Sequence, residues 1–362
     1  MKSNDTRHFD GDVISTCRKV TYPILRAFSH VGNDTITKEA QKMTQNEFHH
    51  VYGPVPSKRL GRSLGVDLVP FKMCSYDCVY CQLGKTTNKT VERKNYAPVE
   101  DVLEELQRKL SLGPFPDYIS LAGSGEPTLN LGIGHLIRRI KQLTEIPVAV
   151  FTNGSLLWLP EIKEALMDAD LVLPSLDAGD EILFRYVNRP HPSISFEKMV
   201  QGTAEFTKEF SGTLWLEVFL LGGVTGVPSE MKKIAALIEQ INPNLVQLNT
   251  VSRPPAEDFA FAVTPEIMEE LKKLLPGKVE LIVEQSHAKL PASQQQETDD
   301  LEILALLSRR PCTVHGISTG LGMNPGEVAK RLHCLNQRGD VIVVRSNDMV
   351  FYQKAGPLSQ IK

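Results

Sequence analysis

The chain has 362 residues, 41% hydrophobic and 23% charged, with a formal net charge of −3 at pH 7. That is ordinary globular composition, long enough for one large domain and a small one, and it excludes a general electrostatic attraction to nucleic acid or membrane. No apolar run reaches the length of a membrane-spanning helix, and the polar start Met-Lys-Ser-Asn-Asp is unlike a signal peptide.

Residues 1–50 read as an extension without clean periodicity, containing Cys17 and the pair His49-His50. A core domain is expected over 51–285, opening on Tyr52-Gly-Pro-Val-Pro. Lys58, Arg59 and Arg62 stand just before the first strand, either facing a phosphate or carboxylate or forming a solvated face. Short β-branched or apolar runs then recur at 64–69, 118–121, 148–151, 171–174, 214–221, 245–248 and 280–283. Between them, Val99, Val102, Leu103, Leu106 and Leu110 share one helical face. So do Ile133, Leu136, Ile137 and Ile140, and again Ile234, Leu237, Ile238 and Ile241. Alternating strands and amphipathic helices predict βα units on a parallel sheet, fitting a partial (β/α)6 barrel or a doubly wound sheet.

A polar, Gln-rich linker is expected at 286–296, followed by a module over 297–356. Its pattern predicts a helix over 301–309 and a shorter one over 313–320. A third helix is capped by Asn324, with Pro325 at its first position and Glu327 at its third, and 341–345 and 349–353 form a hairpin. Three helices and a hairpin resemble a winged helix-turn-helix. The linker implies few contacts across the boundary, and hence a module that recruits a large substrate.

The most specific chemical signal is Met73-Cys-Ser-Tyr-Asp-Cys-Val-Tyr-Cys81. Cys74, Cys78 and Cys81 form a tight trio in a cysteine-poor chain, which reads as thiolate ligation. A [4Fe–4S] cluster takes four thiolates, so three leave one iron open. A structural zinc site wants a fourth protein ligand, and no second Cys-x-x-Cys or local His pair supplies one. The scattered Cys17, Cys312 and Cys334 offer no second local cluster. Cys334 shares an apolar helical face with Leu332 and Leu335; Cys312 is either loop packing or a substrate-facing thiol. Such cysteine usage suits a reducing cytoplasm.

Further candidates follow the ends of the strands, where a (β/α) barrel keeps its reactive groups. After the second comes Ala122-Gly-Ser-Gly-Glu-Pro-Thr128, whose small residues let backbone approach a ligand, unless it is an ordinary turn. After the third stands Asn153, a turn residue or a polar group facing a cofactor. Ser175 and Asp177 alternate onto one face after the fourth, although Asp177 also reads as part of a helix cap. Glu217 lies in an apolar strand, so either it points into the barrel or the strand is an edge. Asn249 and Arg253 close the sixth strand; Arg253 is an anion contact or a solvated loop cation.

The spacing C-x3-C-x2-C, with Tyr80 before the last Cys, resembles the signature of the radical SAM superfamily. The resemblance implies a [4Fe–4S] cluster whose open iron chelates S-adenosyl-L-methionine (SAM) and cleaves it reductively. It also implies a barrel of the partial (β/α)6 type. Ser124, Gly125, Glu126 and Pro127 match the family's Gly-Gly-Glu-Pro segment, whose backbone holds the methionyl amino group, with Ser124 replacing a glycine. Thr152-Asn-Gly154 is also a frequent feature of that family, and by the same resemblance Ser175 meets the SAM carboxylate and Asp177 the ribose hydroxyls.

The longer stretch from Tyr52 to Cys81 is similar to a subgroup placed with the wyosine-type tRNA-modifying synthases. Those carry a second cluster on upstream cysteines. Here only Cys17 lies upstream, so the SAM-cleaving core carries over and the wyosine reaction does not. The function expected is radical SAM modification of a macromolecule, tRNA or another RNA or a peptide, with flavodoxin or ferredoxin as electron donor and no membrane. The alternatives are an Fe–S DNA-binding regulator responding to redox state or SAM, and a zinc-stabilised binding protein. Residues 297–362 hold eight Lys/Arg against seven Asp/Glu, with Lys330, Arg331 and Arg338 on the recognition helix, a thin endowment for phosphate neutralisation.

Overall fold

The computed structural model describes residues 48–113, 115–282, 300–346 and 349–355. Cys17, the expected linker and the turn residues Asn347 and Asp348 lie outside them, as does the rest of residues 1–47. Residues 48–362 form one compact unit.

The chain enters through a hairpin, β1 (Val51–Ser57) and β2 (Gly61–Val66), followed by a long loop holding two-residue strands β3 (Met73–Cys74) and β4 (Asn88–Lys89). Then α1 (Val99–Leu112), β5 (Tyr118–Leu121), α2 (Ile133–Leu143), β6 (Val148–Thr152), α3 (Pro160–Leu166) and β7 (Leu171–Pro174) alternate. Two helices, α4 (Glu181–Val187) and α5 (Phe196–Glu209), precede β8 (Thr213–Leu220). The core ends with α6 (Pro228–Ile241), β9 (Leu245–Thr250), α7 (Pro265–Lys272) and β10 (Val279–Leu281). The C-terminal module comprises α8 (Asp300–Leu307), α9 (Val314–Leu321), α10 (Pro325–Gln337) and the hairpin β11 (Val341–Ser346) with β12 (Met349–Lys354).

The sheet order β1-β2-β5-β6-β7-β8-β9-β10 settles the topology. From β2 onward every pair is parallel and the order follows the sequence, whereas a doubly wound sheet would reverse direction from its first strand. The result is an open, singly wound barrel wall.

Alternation along the strands sorts the side chains. On β8, Leu214, Leu216, Val218 and Leu220 are buried in one cluster with Val148, Val150, Val172, Val246, Leu248 and the apolar faces of the helices. Trp215, Glu217 and Phe219 face the other way, into the lumen. There Ala149, Leu171 and Leu173 enclose Leu60 from the tip of the β1–β2 hairpin, and Tyr118, Phe151 and Trp215 pack against them. The hairpin thus plugs the barrel with an apolar side chain and carries the neighbouring Arg59 inside.

One expectation needs correction, and one strand goes unread in the sequence. The first parallel strand ends at Val66, because its ladder with β5 stops at Val66–Leu121; Leu68 and Val69 are buried as loop residues. β1 is an edge strand whose bulge between Tyr52 and Val55 accommodates Gly53 and Pro54, the residues that mask its pattern.

The module's three helices and hairpin fall where the sequence places them, and Asn324 caps α10 by accepting from Gly326 N at 2.8 Å. Its attachment differs from expectation. Val55 of β1 is buried in the same cluster as Ile303, Leu306, Leu307, Ile317, Val328 and Leu332. Arg309 donates to Asp67 at 2.7 Å, with the two side chains only 10% and 8% exposed. A buried ion pair and a shared core make this a docked module, so the expectation of few contacts across the boundary fails. No helix among the described residues is long and apolar enough to cross a membrane.

Because Val55 belongs to both parts, barrel and module should unfold in one calorimetric transition. Val55→Ala should lower that transition as a whole by about 2 kcal/mol. Two resolved transitions, with only the smaller moved by the substitution, would show the module to be independent.

Candidate active site

The cysteine loop leaves the C-terminal end of β2 and has almost no ladder of its own, so its backbone groups are satisfied by neighbours. On one side Lys72 N donates to Ser124 O at 2.7 Å and Met73 O accepts from Glu126 N at 3.1 Å. A Cβ on Gly125 would lie 1.8 Å from the Met73 carbonyl oxygen, so only glycine permits this approach. On a second side Asp77 N and Val79 N donate to Asn188 O and Val187 O, and His191 N donates to Ser75 O. On the third, Glu257 N donates to Val79 O at 3.0 Å and Arg253 Nη1 to Gln82 Oε1 at 2.9 Å. Arg253 therefore braces the loop beside Cys81.

Each sulfur receives one N–H donor from a different place. Lys72 Nζ lies 3.3 Å from Cys81 Sγ, Asn153 Nδ2 3.5 Å from Cys74 Sγ and Asn188 Nδ2 3.5 Å from Cys78 Sγ. Burial pushes the Cys74 thiol up to about 12, with Glu126 adding to the effect, and raises Cys78 as well. Such thiols keep their protons unless a metal displaces them. Soft sulfur ligands met by N–H donors fit an iron–sulfur cluster. Among the described residues no three His, Cys, Asp or Glu side chains are grouped closely enough to hold a metal ion.

Two buried carboxylates hold the surrounding loops. Glu126 Oε1 accepts from Thr128 N at 3.1 Å, Thr128 Oγ1 at 2.6 Å and Thr152 Oγ1 at 2.7 Å, while Oε2 accepts from Asn153 N at 2.8 Å. Glu126 is thus spent on neighbouring donors and ties the turn after β5 to the loop after β6. Pro127 opens the short turn that Glu126 caps. Asn153 lies at neither extreme of its two readings: the left-handed position belongs to Gly154 (φ 75°), and its amide reaches Ser75 Oγ at 2.8 Å besides Cys74.

Asp177 is 3% exposed and accepts from the Tyr80 hydroxyl, from Asn188 Nδ2 at 2.7 Å and from Phe219 N at 3.1 Å. Tyr80 stacks on Phe219, ring centroids 3.9 Å apart. Asp177 therefore positions Tyr80 and Asn188, and the cap of α4 is Asp180, which accepts from Leu183 N at 2.9 Å. Burial raises the Asp177 pKa to about 6 against the opposing hydrogen bonds of Tyr80 and Asn188.

Below this rim, Glu217 points into the lumen, where it is ion-paired with Arg59 and accepts from Asn249 Nδ2 at 2.8 Å. Ser175 bridges to Glu217 through its backbone and is half-buried. Lys58 Nζ reaches Ser252 Oγ at 3.2 Å, and Arg62 lies beside Asp117 in an exposed pair at 3.8 Å. The basic cluster thus divides into a lumen arginine and two outer cations. Cys312 is buried in the module, bridged to Tyr352, and Cys334 is half-buried on α10.

Lys72, Asn188, Asp67 and Arg309 escape the sequence reading. Only Lys72 carries a signal, its place just before the trio; Asn188 has none, and Arg309 lies 242 residues from the carboxylate it meets.

The raised pKa of Asp177 has a definite linkage sign. The folded carboxyl holds its proton above its unfolded value, so its contribution is complete below about pH 4 and is lost as pH rises through about 6. In cluster-free protein, wild type should lose about 2 kcal/mol relative to Asp177→Asn between pH 4 and 6, measured by urea unfolding. Parallel curves would show that Asp177 titrates normally.

Family models match two parts of the chain: the radical SAM superfamily over residues 68–238, and "bacterial regulatory protein, arsR family" over 300–342. A protein of Brachyspira hyodysenteriae named GTPase Obg is 39% identical over 342 residues, covering 92% of this chain, which spans only half the length of that relative. No G-x-x-x-x-G-K-[ST] phosphate loop stands in the present sequence. A UPF0026 protein of Methanocaldococcus jannaschii is 31% identical over 313 residues, 84% of this chain and 95% of that one. Among solved structures, TYW1 with a lysine–pyruvate adduct bound is 15% identical with a TM-score of 0.47, covering 68% of this chain and 89% of that one. A radical SAM methyltransferase from Sphaerobacter thermophilus is 18% identical with a TM-score of 0.47, covering 60% and 66%. The chain belongs to the UPF0026 family, and its barrel is that of a radical SAM enzyme.

Proposed function

We propose that Cys74, Cys78 and Cys81 hold a [4Fe–4S] cluster whose fourth iron binds SAM, and that the substrate is a macromolecule, RNA or peptide. The carrying observation is the trio at the C-terminal end of the parallel strands, each sulfur with its own N–H donor. The bound cluster, once reduced by a flavodoxin- or ferredoxin-like donor, supplies the electron for cleavage of SAM.

The chain's own residues divide the remaining work. The turn over Ser124, Gly125 and Glu126 is held by the bonds of its Ser124 and Glu126 amides to Asp67 and Met73, and would present the Gly125 peptide to the methionyl end of SAM. Ser175, Glu217 and Asn249 line the lumen below and offer polar contacts to cofactor or substrate. Tyr80, Glu126, Asn153 and Asp177 hold those surfaces in place, and Arg253 steadies the loop past Cys81.

A macromolecular substrate is supported by the exposed rim. Phe71, Tyr186, Phe259 and Phe261, all on segments following strand ends, are 48%, 48%, 38% and 62% exposed, and the Tyr186 and Phe259 rings lie 5.9 Å apart. The DNA-binding regulator is disfavoured by the recognition helix. Arg331 pairs with Glu327 and Asp300, and Arg338 with Asp300 and Asp340, so these cations are already partnered within the module.

Anaerobically reconstituted protein should carry about four irons per chain. With dithionite and SAM it should release 5′-deoxyadenosine. Alanine at Cys74, Cys78 or Cys81 should abolish both. Stoichiometric zinc without iron in anaerobic preparations would overturn the reading. Label transfer from SAM into bulk RNA or protein would identify the substrate class.

A further inference from the structure

Arg309, just past the end of α8, is engaged by every nitrogen of its guanidinium. Nε donates to Asp67 Oδ2 at 2.7 Å, Nη1 to Ala305 O at 2.9 Å and Nη2 to His49 O at 3.2 Å. Its Cζ lies over the Tyr52 ring, 4.4 Å from the centroid. The other oxygen of Asp67, Oδ1, accepts from Ser124 N at 2.8 Å. A Cβ on Gly123 would stand 2.0 Å from that oxygen, so the turn rests directly on the carboxylate. Ser124 O in turn accepts from Lys72 N, and Glu126 N donates to Met73 O. An unbroken series of contacts therefore runs from the C-terminal module to the residue before Cys74.

We infer that Arg309 is a positioning residue for the cofactor site: through Asp67 it fixes the Ser124 amide and the turn over 123–127, making the C-terminal module part of the wall against which SAM binds. The inference rests on the proposed role of that turn in holding SAM. A guanidinium suits the task because its rigid fork serves carboxylate and carbonyls at once while stacking on tyrosine, and an ammonium lacks that geometry. Ser124 stands where the family segment has glycine, and Asp67 holds it by its backbone amide, with the Ser124 side chain contributing as well.

The test uses the full chain with its reconstituted cluster. Arg309→Met strands a buried carboxylate and risks misfolding, so Asp67→Asn/Arg309→Met is compared with it; the carboxamide introduced by Asp67→Asn still offers an acceptor to Ser124 N. In the double variant, iron content should match wild type, amides of residues 123–126 should exchange faster with deuterium, and SAM affinity should fall about tenfold, the size of one charge-assisted hydrogen bond. Arg309→Lys should fall between, and Lys330→Met, exposed on α10, should change neither readout. SAM affinity within about twofold of wild type in the double variant would overturn the inference, whether or not exchange changes. A wild-type chain with an intact cluster that binds no SAM would overturn the cofactor reading, and the inference with it.

Discussion

A loop that must be dry and yet has no ladder of its own is the constraint on which the rest of this structure depends. Between Val66 and Val99 the cysteine segment carries only two short strands paired with each other, and Ser75, Tyr76 and Val79 are at most 2% exposed. Every buried backbone group there needs a partner, because an unmet one costs about 1–3 kcal/mol. The partners come from the segments that follow β5, α4 and β9, so the barrel has to bring those segments together before the loop can fold. Sequential strand order does this without long crossings, and the Leu60 plug fixes the wall from inside.

The structure meets the same need elsewhere with buried carboxylates that collect amides. Glu105 accepts from the backbone of His49, His50 and Val51 at 2.8–3.0 Å, anchoring the start of β1 to α1. Asp67, Glu126 and Asp177 each accept a backbone N–H from a loop or strand end nearby. In all three, burial raises the pKa further than the hydrogen bonds lower it. Precise loop placement is thus obtained at a cost in electrostatic stability, a trade that makes sense only where geometry matters more than stability.

What was legible in the sequence follows from the range of each interaction. The seven parallel strands and the helical faces of Ile133–Ile140 type repeat locally, so their periods announce them, as did the cap at Asn324. The cysteine trio was legible because its chemistry is written in spacing alone. The division of labour among site residues was not. The donors that meet Asp177 and Glu126, namely Tyr80, Asn188, Thr152 and Asn153, are brought to them by folding and have no local signature. The docking of the C-terminal module was hidden for the same reason: a polar linker reports on its own solvation and says nothing of the surfaces it joins.

That docking also bears on how a regulator-like module serves an enzyme. In a DNA-binding winged helix the recognition helix presents unpaired cations to phosphates. Here Asp300, at the start of α8, engages both Arg331 and Arg338 of the α10 segment. The same α8 leads directly to Arg309, on the barrel side. One short helix thus quenches the basic surface of the recognition helix and delivers the cation that meets Asp67. Fold-level likeness to a regulator therefore says little about use; it is Arg309 that the module turns toward the barrel, onto the carboxylate that holds the turn beside the cysteines.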